Sequence, residues 1–269
     1  MLLFPNAKIN LGLHVLNKRP DGFHDIESVI CPVSWCDIID LVPQKKGGID
    51  FKTTGLAIPG ELQDNFIVKS YHALHEQYKL PGLSVHLHKN IPIGGGLGGG
   101  SSDVAFFVKG VNDLFALNLT VDELKKIVAP YGSDCPFFIE NKAQIARGIG
   151  TDLQLLDIDL SNKWVMLVAP NIHVSTKEAY QQVIPNNTQL SLSTLINKPM
   201  STWQEYVHND FEQSVFPKFP QIKLVKQQLL DANAIFASMS GSGATCYGIF
   251  NEEPTLKFPE NYPVWVGKL

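Results

Sequence analysis

Residues 91–103 read Ile-Pro-Ile-Gly-Gly-Gly-Leu-Gly-Gly-Gly-Ser-Ser-Asp, and six of the positions from Gly94 to Gly100 are glycine. No other stretch limits the fold so strongly. Glycine supplies positive φ and leaves no Cβ in the way of a close neighbour, so this run is a turn shaped by its backbone. A helical pattern follows it directly, with Val104, Phe107, Val108, Val111, Leu114 and Phe115 on one broad face. The first amides of a helix have no partner inside it and lie at the positive end of its dipole. A glycine turn feeding such a helix start is an anion cradle suited to a polyphosphate. Ser101 and Ser102 stand where a hydroxyl either caps the helix or reaches a phosphate or Mg2+.

The type of phosphate loop narrows by comparison. A Walker A loop needs a lysine before its Ser/Thr, and Gly100 precedes Ser101. Gly94, Gly96 and Gly99 satisfy G-x-G-x-x-G, but a run this rich in glycine satisfies almost any glycine pattern. A dinucleotide fold places the strand directly before the turn and early in its domain, whereas here Pro92 intervenes far along the chain.

The surrounding pattern predicts an α+β fold. Ile67, Tyr71, Leu74 and Tyr78 recur at helical spacing, and Pro81-Gly82 ends that helix. Leu83–His88 alternates as a half-buried strand. Thr120 and Glu123 form a capping-box signature for a further helix, closed by Pro130 and Gly132. Trp164–Val168 reads as a buried strand, residues 185–202 as loop with short helices, and Ile222–Leu230 as helix. Ile235–Met239 and Thr245–Phe250 read as strands around the small-residue turn Ser240-Gly-Ser-Gly243. The polar stretch near 150–163 predicts a division into residues 1–155 and 156–269.

The 269 residues, 44% of them hydrophobic, suffice for a sizeable core and exclude a disordered chain. A net charge of −4 offers no field for nucleic acid or acidic membranes, so neither is expected as a partner. No apolar run is long enough for a membrane span and the amino terminus has no signal-peptide pattern, so a cytoplasmic protein is expected. Cys31, Cys36, Cys135 and Cys246 form no C-x-x-C pair and read as reduced, small apolar groups. His86 and His88 stand two apart on a strand without a third ligand nearby, so no metal-binding residue is expected.

Pro92-x-x-x-Gly96-Leu-Gly-x-x-Ser-Ser102 resembles the phosphate loop of the GHMP small-molecule kinases, the family of galactokinase, homoserine kinase and mevalonate kinase. Further segments resemble one branch of that family. They are Ala7-Lys8-Ile-Asn10-Leu11, Arg19-Pro-Asp-Gly22-Phe-His24, Asp64-Asn65-Phe-Ile-Val68, Gly132-Ser-Asp134-Cys-Pro136-Phe, Asn209-Asp-Phe-Glu212 and Ser240-Gly-Ser-Gly-Ala244. The resemblance implies a two-domain GHMP fold with its active site in the cleft between the domains. It also implies ATP as co-substrate with Mg2+, and transfer of the γ-phosphate to the 2-hydroxyl of CDP-methylerythritol, on the non-mevalonate route to isoprenoid precursors. A monomer or homodimer is expected. Another GHMP kinase is the nearest alternative reading, and a dinucleotide-dependent oxidoreductase the alternative from another class.

Within that resemblance, Lys8 and Asp134 correspond to the pair facing the acceptor hydroxyl. A carboxylate is a weak base for an alcohol, so Asp134 is expected to orient the hydroxyl and accept its proton late. Alone, the two suit a surface ion pair better, and the surrounding motifs reverse that preference. Pro92, Gly94, Gly95, Gly96, Leu97, Gly98, Gly99, Gly100, Ser101 and Ser102 correspond to the nucleotide-phosphate loop, and Asn65 and Lys89 to contacts with the adenine nucleotide. Asn65 equally suits a helix N-cap, and Lys89 a solvated charge. Asn10 shares a strand face with Lys8 and is expected on the acceptor. Phe23, His24 and Tyr180 correspond to residues holding the cytosine ring, and Gly241 and Gly243 let a turn approach the substrate. Phe23 stands where the branch more often has tyrosine, so ring stacking is expected there without a phenolic hydrogen bond.

Overall fold

The computed structural model describes residues 1–269. Its strands are β1 (Leu2–Leu3), β2 (Asn6–Lys18), β3 (His24–Cys36), β4 (Ile38–Gln44), β5 (Ile49–Gly55) and β6 (Gly82–Lys89). They continue with β7 (Gln144–Arg147), β8 (Asp152–Leu155), β9 (Trp164–Val168), β10 (Phe236–Met239), β11 (Cys246–Phe250) and β12 (Val264–Lys268). The helices are α1 (Phe66–Tyr78), α2 (Gly99–Leu114), α3 (Val121–Val128), α4 (Phe137–Glu140) and α5 (Thr176–Tyr180). They end with α6 (Leu192–Leu195), α7 (Trp203–Tyr206), α8 (Glu212–Lys218) and α9 (Pro220–Asp231). None is long and apolar enough to cross a membrane.

The chain forms two compact units, each drawn from several segments. The first takes Met1–Ala7, Trp35–Ile93 and Gly98–Asn141; the second takes Lys8–Ser34, Gly94–Leu97 and Lys142–Leu269. These units do not follow the expected cut after residue 155. The polar stretch that suggested it is a local event: Gly148 and Gly150 make the β7–β8 turn, and the remainder links β8 to β9. Because β7 pairs with β3, that hairpin belongs to the sheet containing Lys8–Ser34.

The first unit is built on a four-stranded sheet of order β1-β4-β6-β5, in which only β5–β6 is parallel. The alternation read at 83–88 is seen directly, with Leu83, Val85 and Leu87 buried and His86 and His88 exposed. Helix α1 buries Ile67, Tyr71 and Leu74 and stops at Lys79, whose φ of 54° breaks the ladder. Helix α2 buries Val104, Phe107, Val108 and Val111, and Leu3 and Leu41 lie directly over its Gly110. The capping box at Thr120 and Glu123 is closed in both directions.

The second unit holds two four-stranded sheets, β2-β3-β7-β8 and β10-β11-β9-β12. Its core joins Leu13 and Val15 of β2 to Met166, Val168, Met239 and Cys246 and to Phe211, Val225 and Leu229 of the helical layer. The paired strands around the Ser240–Gly243 turn are antiparallel, with Met239 opposite Cys246. All four cysteines are free thiols, and burial pushes Cys31 up to about 12, which makes it inert.

Candidate active site

In the second unit, Lys8 and Asn10 project from the same face of β2, as alternation on a strand requires. Both are buried, each 4% exposed. Lys8 Nζ donates to Asn10 Oδ1 at 2.6 Å, which fixes the amide orientation, and Asn10 Nδ2 donates to Ser28 Oγ at 2.8 Å. Ser28 Oγ in turn donates to the Gly12 carbonyl at 2.7 Å. The Asn10 carbonyl accepts from the buried Tyr247 hydroxyl at 2.8 Å. Burying a lysine to this degree carries a desolvation penalty, which its hydrogen bonds offset.

Two glycine turns lock onto this cluster within the same unit. Ser240 Oγ donates to Gly96 O at 2.9 Å and accepts from Asn10 N at 3.3 Å, while Thr245 N donates to Gly95 O at 3.2 Å. Lys8 N donates to Leu97 O at 2.9 Å. Gly96 has φ +78°, and a Cβ there would stand 2.0 Å from the Ser240 carbonyl oxygen, so only glycine fits. Gly241 packs against Asn10 and Gly96, Gly243 against the Met239 side chain, and Gly94 against His173. Among the substrate candidates, His24 and Tyr180 stack with ring centroids 4.7 Å apart and planes 19° from parallel. Tyr180 in turn meets Phe211 edge-on. Burial lowers the His24 pKa, as does Lys18, and burial raises that of Tyr180. Phe23 lies just past the tight Arg19–Gly22 turn of the β2–β3 connection and is 61% exposed.

In the first unit, the N-cap of α2 is Gly98, which is left-handed with φ +68°. Ser102 N makes the first intrahelical bond, to Gly98 O at 2.9 Å, so the amides of Gly99, Gly100 and Ser101 stand outside the ladder. The Ser102 hydroxyl is fully buried and has no partner. A Cβ at Gly100 would meet open space. Asp134 lies in the turn Gly132–Pro136 just before α4, where Cys135 N donates to Gly132 O at 3.1 Å. Ser101 Oγ stands 3.2 Å from where a Cβ on Gly132 would be, which places the Asp134 turn beside the start of α2. Asn65 is the N-cap of α1: its Oδ1 accepts from Ile67 N at 2.9 Å.

Lys89 is not the solvated charge that the sequence allowed. It is 3% exposed, and its ammonium donates to Asp37 and, at 2.7 Å, to Asp103. The group lies under the first turn of α2, since a Cβ on Gly99 would stand 3.0 Å from Lys89 Nζ. Asp37 also accepts from the amides of Asn90 at 2.6 Å and Ile91 at 2.8 Å, holding the chain that enters Pro92. Burial pushes the Asp103 carboxyl up to about 7; Lys89 pulls it down and Asp37 pushes it further up. Burial also opposes the charge on Lys89, yet Asp103 and Asp37 together hold its pKa above the ordinary value. One trace of this triad was visible beforehand: Asp103 shares a helix face with Phe107 and Val111, a carboxylate on an apolar stripe. Asp37, at the end of a long strand, carried no such mark, and neither Ser28 nor Tyr247 stood out from its surroundings.

Comparisons with known proteins agree on one family. The model for the GHMP kinases N terminal domain matches residues 65–142, and that for the GHMP kinases C terminal domain matches residues 191–258. The chain is 49% identical over 97% of its length to the 4-diphosphocytidyl-2-C-methyl-D-erythritol kinase of Cytophaga hutchinsonii, of which 96% is covered. It is 44% identical over 95% of its length to the kinase of the same name from Parabacteroides distasonis, of which 93% is covered. A solved 4-(cytidine 5'-diphospho)-2C-methyl-D-erythritol kinase superposes with a TM-score of 0.80 at 27% identity, covering 92% of this chain and 89% of that one. A homoserine kinase from Cytophaga hutchinsonii, at 18% identity and a TM-score of 0.64, shares the fold over 97% of this chain and 93% of its own.

Proposed function

The chain belongs to the GHMP kinases, and within them to the 4-diphosphocytidyl-2-C-methyl-D-erythritol kinase family; from that premise we propose that it phosphorylates the 2-hydroxyl of CDP-methylerythritol with ATP. The observation that carries the reading is the buried Lys8–Asn10 pair bonded to both glycine turns through Ser240 and Leu97.

Phosphoryl transfer asks a protein for in-line positioning and for charge complementary to the moving phosphoryl group. The three amides at the start of α2 and the positive end of its dipole suit the phosphate tail of ATP. The orphaned Ser102 hydroxyl fits a phosphate oxygen or Mg2+ in the same place. Magnesium, when bound, would be held beside the Ser102 hydroxyl and would offset the charge of the phosphate tail. Asn10 orients the acceptor, with its amide already locked by Ser28 and Lys8. Lys8 stabilises charge on the transferring oxygens, and Asp134 takes the hydroxyl proton as the bond to phosphorus forms. The stacked His24–Tyr180 pair offers aromatic surface for the cytosine ring, with His24 uncharged at neutral pH as its lowered pKa requires. The proposal includes a cytoplasmic setting and ATP as the phosphoryl donor.

The test is an ADP-release assay on the purified protein with CDP-methylerythritol, mevalonate and homoserine offered separately. Turnover confined to the first is the expected result. Turnover of mevalonate or homoserine alone would transfer the chain to another branch of the family.

A further inference from the structure

The segment Asn209–Glu212 resembles the family pattern but takes no direct part in the transfer described above. Its surroundings give it a task. Strand β10 lies at the edge of its sheet, paired with β11 on one side only. Side chains replace the missing ladder on the other side. Ala237 N donates to Gln204 Oε1 at 2.8 Å, and Met239 N donates to Glu212 Oε1 at 2.9 Å. Asn209 then gives both protons of its amide to backbone carbonyls, Met239 O at 2.7 Å and Gly241 O at 2.8 Å. Its Oδ1 accepts from Phe211 N at 3.1 Å, and the residue is 1% exposed.

The position of those two carbonyls is the informative point. Met239 is the last paired residue of β10, and Gly241 lies two residues on, inside the turn. Asn209 therefore carries the register of the strand into the Ser240–Gly243 turn. The same segment is fixed to β2 on its other flank: Leu13 N donates to His208 O at 2.9 Å, and Asp210 N to Leu13 O at 2.8 Å. Val15 N adds a bond to Asp210 Oδ2 at 2.8 Å. So one buried amide side chain connects the strand bearing Lys8 and Asn10 to the turn bearing Ser240. Asparagine offers two donors and an acceptor in one plane, and here all three are used.

We propose that Asn209 is a positioning residue for phosphoryl transfer, setting the Ser240–Gly243 turn at the height where Ser240 reaches both Gly96 and Asn10. The inference rests on the reading of that cluster as the transfer site. Asn209→Ala takes the side-chain donor from the Gly241 carbonyl and leaves Met239 O with only the long 3.4 Å bond from Ser238 Oγ, and Asn209→Asp sets a carboxylate against both. A displaced turn moves Gly96 and Asn10, and misplacement on the ångström scale costs about a hundredfold in well-aligned reactions.

The experiment measures kcat, both KM values and the thermal midpoint for the wild type, Asn209→Ala, Asn209→Ser and Gln204→Ala, with kcat per folded molecule. Asn209→Ala is expected to lose about tenfold or more in kcat, and Asn209→Ser, which keeps one donor, to fall in between. Gln204→Ala removes a cap of the same strand edge upstream of the turn; it should lower the midpoint and leave kcat unchanged. If Asn209→Ala does not fold, the comparison of Asn209→Ser with Gln204→Ala carries the test. Equal kcat in those two variants overturns the proposal, as does an Asn209→Ala enzyme within about twofold of wild type in kcat and both KM values. A wild-type chain that does not phosphorylate CDP-methylerythritol refutes the proposed function instead, so the two failures are distinct.

Discussion

Replacing Lys89 by alanine should destabilise the first unit by an amount that depends on pH. The ammonium is 3% exposed and is shared by two carboxylates, Asp37 at 0% and Asp103 at 6%. Removing it leaves both acids in a dry site, and breaking a buried ion pair from one side costs about 3–5 kcal/mol. Asp103 can relieve part of this by taking a proton, because its pKa already stands at about 7. The sign follows from that value. A carboxyl whose folded pKa is raised binds more protons in the folded state than in the unfolded one, so its contribution to stability falls as pH rises from about 4 to beyond 7. Lys89 pulls the Asp103 pKa down, so the variant's pKa climbs further and the falling window extends upward. Each pH unit in that window is worth up to about 1.4 kcal/mol. Urea unfolding at about pH 6 and about pH 8.5 should therefore show a deficit that deepens by about 1–2 kcal/mol at the higher pH. Adding Asp103→Asn to the variant should recover much of that extra loss. A small deficit, equal at both pH values, would mean that the lysine is solvated and the triad is not a unit.

Three further outcomes can be checked with simpler measurements. Gly96→Ala puts a methyl group against the Ser240 carbonyl at φ +78°, and should lower both the thermal midpoint and kcat/KM, the latter by about tenfold or more. Gly100→Ala, facing open space, should keep the midpoint and weaken ATP binding by titration calorimetry. Asp134→Ala should retain nucleotide affinity within about twofold while turnover falls about a hundredfold in single-turnover assays. Thr120→Ala breaks the capping box of α3 and should cost about 1 kcal/mol by urea unfolding, with kcat unchanged.

Much of the fold was legible where the cause is local. The glycine run, the helix start after it and the Thr120 capping box are short-range signals, and each stands where it was read. So does the antiparallel pairing around Ser240–Gly243, which follows from two apolar runs and a small-residue turn. The two compact units were not legible, because strand pairing between distant segments decides them: β7 lies on β3, over a hundred residues earlier. The site shows the same division. Lys8 and Asn10 follow from strand alternation, but their bonds to Ser28, Ser240 and Tyr247 join residues that no spacing links. Lys89 was legible as a charge and not as a buried one, since its partner Asp37 is remote in the chain and carries no pattern of its own.

The interlock of the two glycine turns has a consequence for how the protein is made. Gly96 and Ser240 are separated by 144 positions, and Thr245 adds a second bond to the same stretch. Contacts of such separation form late, after the loop between them has closed. A ribosome that has released residues up to the middle of the chain has delivered the glycine run without the part that shapes Gly95 and Gly96. The interlock therefore closes near the end of synthesis, and a chain truncated before β10 lacks Ser240 and Thr245, the residues that hold Gly96 and Gly95.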